Sequence, residues 1–253
     1  MSLRWLTIFL DFPAGSFDAG VAFWREVTGY GLSAPRGAEG EFATLLPPAG
    51  DAYLRVQRLA DGDGGCHLDL HVDPAAESLR AAADRAVRAG ALIRHREEGL
   101  VVAQSPGGFP FCLVNWAGER AVPAPLAAGD GASGGGGASR VDTLCVDVPP
   151  GEFERELAFW PALTGQQARP APVPGYYYLT RPAGWPARLL MQRRQSAPPG
   201  DRVRGHVDFG CTDPGARDRH VALGARVTGV QEYWTVLTDP AGREYCLVTR
   251  DPH

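Results

Sequence analysis

The chain opens on a dense apolar run, and Trp5 to Phe12 reads as a strand. From Ser16 the period changes. Val21, Trp24 and Thr28 fall near one face of a helix expected to start at a Ser16 cap and run to about Val27, with Gly29 as its stop signal. Short extended runs follow at Phe42 to Leu46, Tyr53 to Leu59 and Cys66 to Val72. An alanine-rich stretch from Pro74 to Arg88 predicts a second helix, with Pro74 in its first turn and Leu79, Ala83 and Val87 as its apolar stripe. Strands near Leu92 to His95, Leu100 to Gln104 and Phe109 to Trp116 complete a βαβββ-βαβββ order.

The same pattern then returns. Ala22-Phe23-Trp24 with Thr28-Gly29 recurs as Ala158-Phe159-Trp160 with Thr164-Gly165, His67-Leu68-Asp69-Leu70 as His206-Val207-Asp208-Phe209, and Phe111-Cys112-Leu113-Val114 as Tyr245-Cys246-Leu247-Val248. Offsets of 136, 139 and 134 residues keep order and spacing across both halves. Helices near Glu152 to Leu163 and Pro214 to Leu223 are expected in the second copy. The simplest cause is tandem duplication of a unit of roughly 120 residues, long enough for a compact domain. The expected domains are 1–116 and 140–253, and the fold class is α+β. Between them Ala117 to Ser139, holding Pro123-Ala124-Pro125 and a glycine-rich run from Gly131 to Gly137, reads as a flexible linker.

Composition narrows the function. The 253 residues are 44% hydrophobic and 21% charged, which supports real cores. A net charge of -4 argues against a general binder of nucleic acid or anionic membrane. All 25 basic residues are arginine, so neither a Schiff-base lysine nor a P-loop lysine is available. The apolar run at Leu6 to Phe12 is far too short to span a membrane and lacks a small-residue cleavage site; a cytoplasmic protein is expected. Five cysteines without a Cys-x-x-Cys pair read as buried, reduced thiols.

The doubled βαβββ order, Leu10-Asp11-Phe12-Pro13 ahead of Ala22-Phe23-Trp24, the His-Leu-Asp-Leu strand and Asp239-Pro240-Ala241-Gly242 before a last strand together resemble the vicinal oxygen chelate superfamily, in its glyoxalase and bleomycin-resistance branch. The resemblance implies modules whose strands curl into a cup. In catalytic members, extradiol dioxygenases included, His, Gln or Glu side chains on the first and last strands hold a divalent metal that polarises substrate oxygens. Carried onto this chain, those positions fall at Thr7 and Thr143 on the opening strands, Gln57 and Gln192 on the fourth, His67 and His206 on the second module's first strand, and Cys112 and Cys246 on the closing strands. One imidazole and one weakly ligating amide per half, with Thr and Cys replacing the rest, imply that the usual metal site is lost.

His67-x-Asp69-x-His71 is the feature that speaks for a metal, because alternate strand residues share a face. The plainer reading makes His67 a satisfied histidine, Asp69 its partner and His71 a surface residue; His95, His220 and His253 are likewise expected at the surface. Cys112 and Cys246 have a rival reading as nucleophiles or thiolate ligands, against inert buried thiols. Tyr176, Tyr178 and Trp234, with Trp5, Trp116 and Trp185, are candidates to line pockets for flat or apolar molecules, and Arg55 beside Gln57 is placed to meet an anionic group. The expectation is a small-molecule-binding protein that needs no cofactor and favours a monomer. The alternatives are a divalent-metal lyase, isomerase or dioxygenase using His67, His206, Gln57 and Gln192, and a structural scaffold.

Overall fold

A computed structural model describes residues 2–128, 136–198 and 200–253. The first half runs β1 (Leu3–Pro13), α1 (Phe17–Thr28), β2 (Gly31–Leu32), β3 (Phe42–Leu46), β4 (Leu54–Leu59), β5 (Gly65–Val72), α2 (Leu79–Ala89), β6 (Leu92–Glu97), β7 (Leu100–Gln104) and β8 (Pro110–Asn115). After β9 (Leu126–Ala127) the order repeats as β10 (Ala138–Val148), α3 (Phe153–Thr164), β11 (Ala168–Pro170), β12 (Tyr176–Leu179) and β13 (Arg188–Arg193). The second module follows with β14 (Arg204–Cys211), α4 (Ala216–Ala222), β15 (Arg226–Val230), β16 (Trp234–Thr238) and β17 (Glu244–Thr249). The α+β fold and the doubled βαβββ order are as expected.

Strands pair in the order β2-β3-β4-β1-β5-β8-β7-β6 in the first sheet and β11-β12-β13-β10-β14-β17-β16-β15 in the second, where β9 also pairs with β10. Both sheets are mixed: β5 runs parallel to β8 and β14 parallel to β17, whereas the outer hairpins are antiparallel.

The chain folds into two compact units, and each takes one module from either half. The first comprises Met1–Ile8, Cys66–Ala121 and Leu144–Gly205; the second comprises Phe9–Gly65, Val122–Thr143 and His206–His253. The repeated helix supplies the core in each. In the second unit Trp24 stacks on Phe209, with centroids 5.9 Å apart, and meets Tyr245 edge-on. In the first unit Trp160 meets Phe109 and Phe111 edge-on. Both indoles are fully buried, and burying an aromatic side chain of that size contributes roughly 4–6 kcal/mol by area. Thr28 and Thr164 each bond the carbonyl four residues back, and Gly29 and Gly165 then end the helices in the left-handed conformation at φ 69° and 71°.

Three local expectations need correction. Ser16 stands at the cap position but its hydroxyl donates to the Pro13 carbonyl instead. The second helix starts at Leu79, because Asp73 takes the Ala75 amide into a side-chain turn and Ser78, which accepts from the Ala81 amide, is the true cap. Its buried face is Ala82, Ala83 and Ala86, while Val87 is exposed.

Of the stretch expected to be a linker, 129–135, which holds Gly131 to Gly135, lies outside the described residues. Its described flanks are pinned. The Trp116 indole donates to the Glu119 carbonyl, Arg140 donates to the Pro123 carbonyl, and Leu126 and Ala127 register against Ser139 and Ala138.

Candidate functional site

Parallel pairing of β5 with β8 sets Asp69 directly opposite Cys112, and the pairing of β14 with β17 sets Asp208 opposite Cys246. The histidine two residues earlier on the same strand then shares their face. In the first unit His67 Nε2 lies 3.8 Å from Asp69 Oδ1. In the second, His206 Nε2 lies 3.3 Å from Asp208 Oδ1 and 3.8 Å from Cys246 Sγ. Within each triplet the His, Asp and Cys ligand atoms all fall within 4.8 Å of one another. The carboxylates and thiols are buried, and the imidazoles keep 14% and 16% of their side-chain surface exposed, so each cluster meets solvent through its histidine. All five cysteines are buried thiols outside any disulfide bond.

The opening-strand threonines are already engaged. Thr7 Oγ1 lies 2.9 Å from His71 Nε2, and His71 Nδ1 lies 3.3 Å from the Glu119 carboxylate. A proton on Nδ1 facing Glu119 leaves Nε2 to accept from the Thr7 hydroxyl. Burial pushes the Glu119 carboxyl up, but the bonds from His71 and the backbone outweigh it and hold the group at about 2. His71 is therefore buried and partnered, not a surface residue.

In the second half Arg250 takes this place. It donates to Thr143 Oγ1 at 3.0 Å and forks onto both oxygens of Asp142 at 2.5 and 2.6 Å. Gly210 occupies the His71 position because a Cβ there would stand 2.6 Å from both Arg250 Nη1 and Asp142 Oδ2. His220, also expected at the surface, is buried with Nδ1 3.0 Å from the Tyr245 hydroxyl; burial, with Arg219 nearby, pushes its pKa down to about 4. His95 is exposed, as expected.

The remaining candidates divide between units. Arg55 and Gln57 lie on one face of β4 in the second unit, opposite Thr44 and Phe42, with the Arg55 guanidinium over the Phe9 ring. Tyr176 registers against Gln192 in the first unit, where Arg188 covers Tyr178 while Tyr177 turns to Phe153. Trp234 is half-buried on β16, opposite Val248. Trp5 and Trp185 are buried in the core. Each unit therefore combines Thr, His and Cys from one half with the glutamine strand of the other. The sequence reading missed Cys145, whose thiol lies 3.6 Å from Gln192 Oε1, and it read Asp69 as the partner of His67, beside which it stands. The shared parity of Thr143 and Cys145 on one strand was the available signal for the thiol.

Among the described residues no helix is long and apolar enough to cross a membrane.

The domain family described as glyoxalase-like matches residues 7–114 and 143–248, one copy in each half. Among solved structures, the Mn(II)-bound glyoxalase from Novosphingobium aromaticivorans aligns over 99% of this chain and 84% of its own, at 17% identity and a TM-score of 0.64. The 2,2',3-trihydroxybiphenyl 1,2-dioxygenase from Sphingomonas wittichii RW1 aligns over 98% and 90%, at 15% identity and TM-score 0.61. The 2,3-dioxygenase LapB from Pseudomonas sp. KL28 aligns over 98% and 92%, at 12% identity and TM-score 0.62. Such identities establish a shared fold. No curated protein matches the chain in sequence.

Proposed function

Given that the chain belongs to the glyoxalase-like domain family, we propose that it is a small-molecule-binding protein whose His-Asp-Cys clusters serve as polar contacts for a ligand. The observation that carries this reading is the fate of the opening-strand threonines. Their hydroxyls are held by His71 and Arg250, so neither adds to the single imidazole of its cluster. The closing strands bring thiols where the family's metal enzymes bring carboxylates. The partly exposed imidazole and the half-buried Tyr176, Tyr178 and Trp234 favour a ligand with a flat or apolar body and one polar group.

The spacing inside each triplet favours a second reading. One imidazole, one carboxylate and one thiol within 4.8 Å suit a borderline divalent ion such as zinc, with a fourth position open to a ligand oxygen. Bound there, the ion would supply Lewis-acid polarisation, and the reading becomes a metal-dependent lyase, isomerase or dioxygenase.

A thermal-shift screen of phenols, aromatic carboxylates and dicarbonyl compounds, run with and without EDTA, separates the two. Ligand binding at these clusters predicts stabilising compounds whose shift is unchanged by EDTA and lost in His67→Ala or His206→Ala. Shifts that vanish with EDTA support the metal reading, and shifts indifferent to both histidines refute both.

A further inference from the structure

The two sheet orders end on four strands, β2, β6, β11 and β15. An end strand offers a row of open N–H and C=O groups to any further strand, and proteins guard it by shortness or by charge. β2 and β11 are two and three residues long. β6 is longer, and its Arg94, His95, Arg96 and Glu97 are all exposed. Arg94 donates to Gln104 on β7, and Arg96 reaches Asp84 beneath it on α2.

β15, the counterpart of β6 in the second copy, is unguarded over its centre. Its register on β16 matches that of β6 on β7, bulge included, and sets Thr228, Gly229, Val230 and Gln231 where Arg94, His95, Arg96 and Glu97 stand. Asp218, the counterpart of Asp84, pairs with its neighbour Arg217 instead. Thr235 and Leu237 are two apart on β16 and stand opposite Val230 and Val227, so the bulge turns both valines to one side of the sheet. They are 66% and 42% exposed, and Val221, Leu223 and Tyr233 are exposed beside them in the chain. Such a concentration of bare apolar side chains marks an interaction surface. The Gln231 amide bonds the Trp234 carbonyl at 2.8 Å, and by the alternation of an antiparallel ladder the Val230 N–H and C=O then point out from the edge.

The strand is complementary to itself. Antiparallel pairing of two copies about Gly229 sets Arg226 of each against Glu232 of the other, and both side chains are exposed. The same register brings Thr228 against Val230, a pair of β-branched side chains suited to a strand.

We propose that β15 is the interface of a two-fold dimer, in which a second copy of this chain adds its own β15 antiparallel to the first. This departs from the monomer expected of a chain that already holds two copies of its fold. The His-Asp-Cys clusters and their ligand play no part in it.

The test is the mass of the full chain by sedimentation equilibrium, over a dilution series downward from about 100 μM. Twice 27.0 kDa is expected at the top of the series. Val230→Arg, which copies Arg96 of the first half at an exposed position, gives the single mass throughout. Arg226→Glu and Glu232→Arg each raise the dissociation constant about tenfold, because two like-charged pairs replace two opposite ones, and the double variant restores it. A single mass for the parent at every concentration, a dimer that survives Val230→Arg, or charge reversals whose effects add instead of cancelling overturns the assignment.

Discussion

The Trp24 indole, on the first repeated helix, donates to Asp239 Oδ2 at 2.8 Å, although the two residues stand 215 positions apart. Asp239 Oδ1 meanwhile accepts from the amides of Ala241 and Arg243, so one carboxylate anchors the helix and closes the turn before β17. The other copy divides this work. Ser105 stands at the turn and accepts from the Phe109 amide, while the carboxylate comes from Glu156 on the helix, which accepts from Ser105 Oγ, the Gly107 amide and the Trp160 indole. Gly20 occupies the Glu156 position in the first helix because a Cβ there would stand 2.4 Å from Phe12 Cε1. A single carboxylate has moved between elements while the bond network kept its shape.

Glu156→Ala leaves the Trp160 indole and the Gly107 amide without their acceptor and should cost about 2 kcal/mol, read by urea denaturation. Adding Ser105→Asp rebuilds the Asp239 arrangement and should recover about half of that loss. Equal stability of the single and double variants would refute the equivalence. Burial pushes the Glu156 carboxyl up despite its three donors, so its contribution should weaken as pH rises through the carboxylate range.

Buried His220 makes the second unit acid-sensitive. Its pKa is pushed from 6.5 down to about 4, so the folded state binds the proton less readily than the unfolded chain. The stability linked to it is complete above pH 6.5 and is lost as pH falls from there toward 4, to a limit of roughly 3 kcal/mol. His220→Asn should be less stable at pH 7.5 and flatter between pH 6.5 and 4. An unchanged slope in denaturation curves would contradict this.

Asp142 is fully buried, and although burial raises its pKa, the Arg250 fork brings it below the ordinary carboxylate value. Its contribution is present above the unfolded carboxylate pKa and lost as pH falls through the lowered one. Arg250→Met leaves a buried carboxylate without its counter-ion and should cost about 3 kcal/mol at pH 7. Lowering the pH toward 4 should narrow the gap from the parent, measured by denaturant titration.

Much of the fold was legible because its signals are local. Strand runs, the helix-ending Thr-Gly pairs and the doubled His-x-Asp strand each lie within a few residues, and their repetition supplied the order of elements. Features decided by distant partners were not legible. His71 looked like a surface residue because Glu119 sits in the stretch read as a linker. His220 looked alone because Tyr245 is 25 residues away across the sheet. The start of α2 was misplaced because Pro74 suits a helix's first turn, while Asp73 and Ser78 decide the matter through side-chain bonds. The candidate site was half legible: His67 with Cys112 and His206 with Cys246 do come together. Asp69 and Asp208 stand beside their histidines, as the strand parity implied. The division of glutamines and histidines between units follows from how modules pair in space, which no single module encodes.

The most direct test of the account is the metal content of the purified chain after equilibration with zinc, manganese and ferrous iron under reducing conditions. The account predicts metal well below one ion per chain, unchanged in His67→Ala and His206→Ala. One ion per cluster, lost from the first unit in His67→Ala and from the second in His206→Ala, would contradict it and make the protein a metal-dependent member of its family.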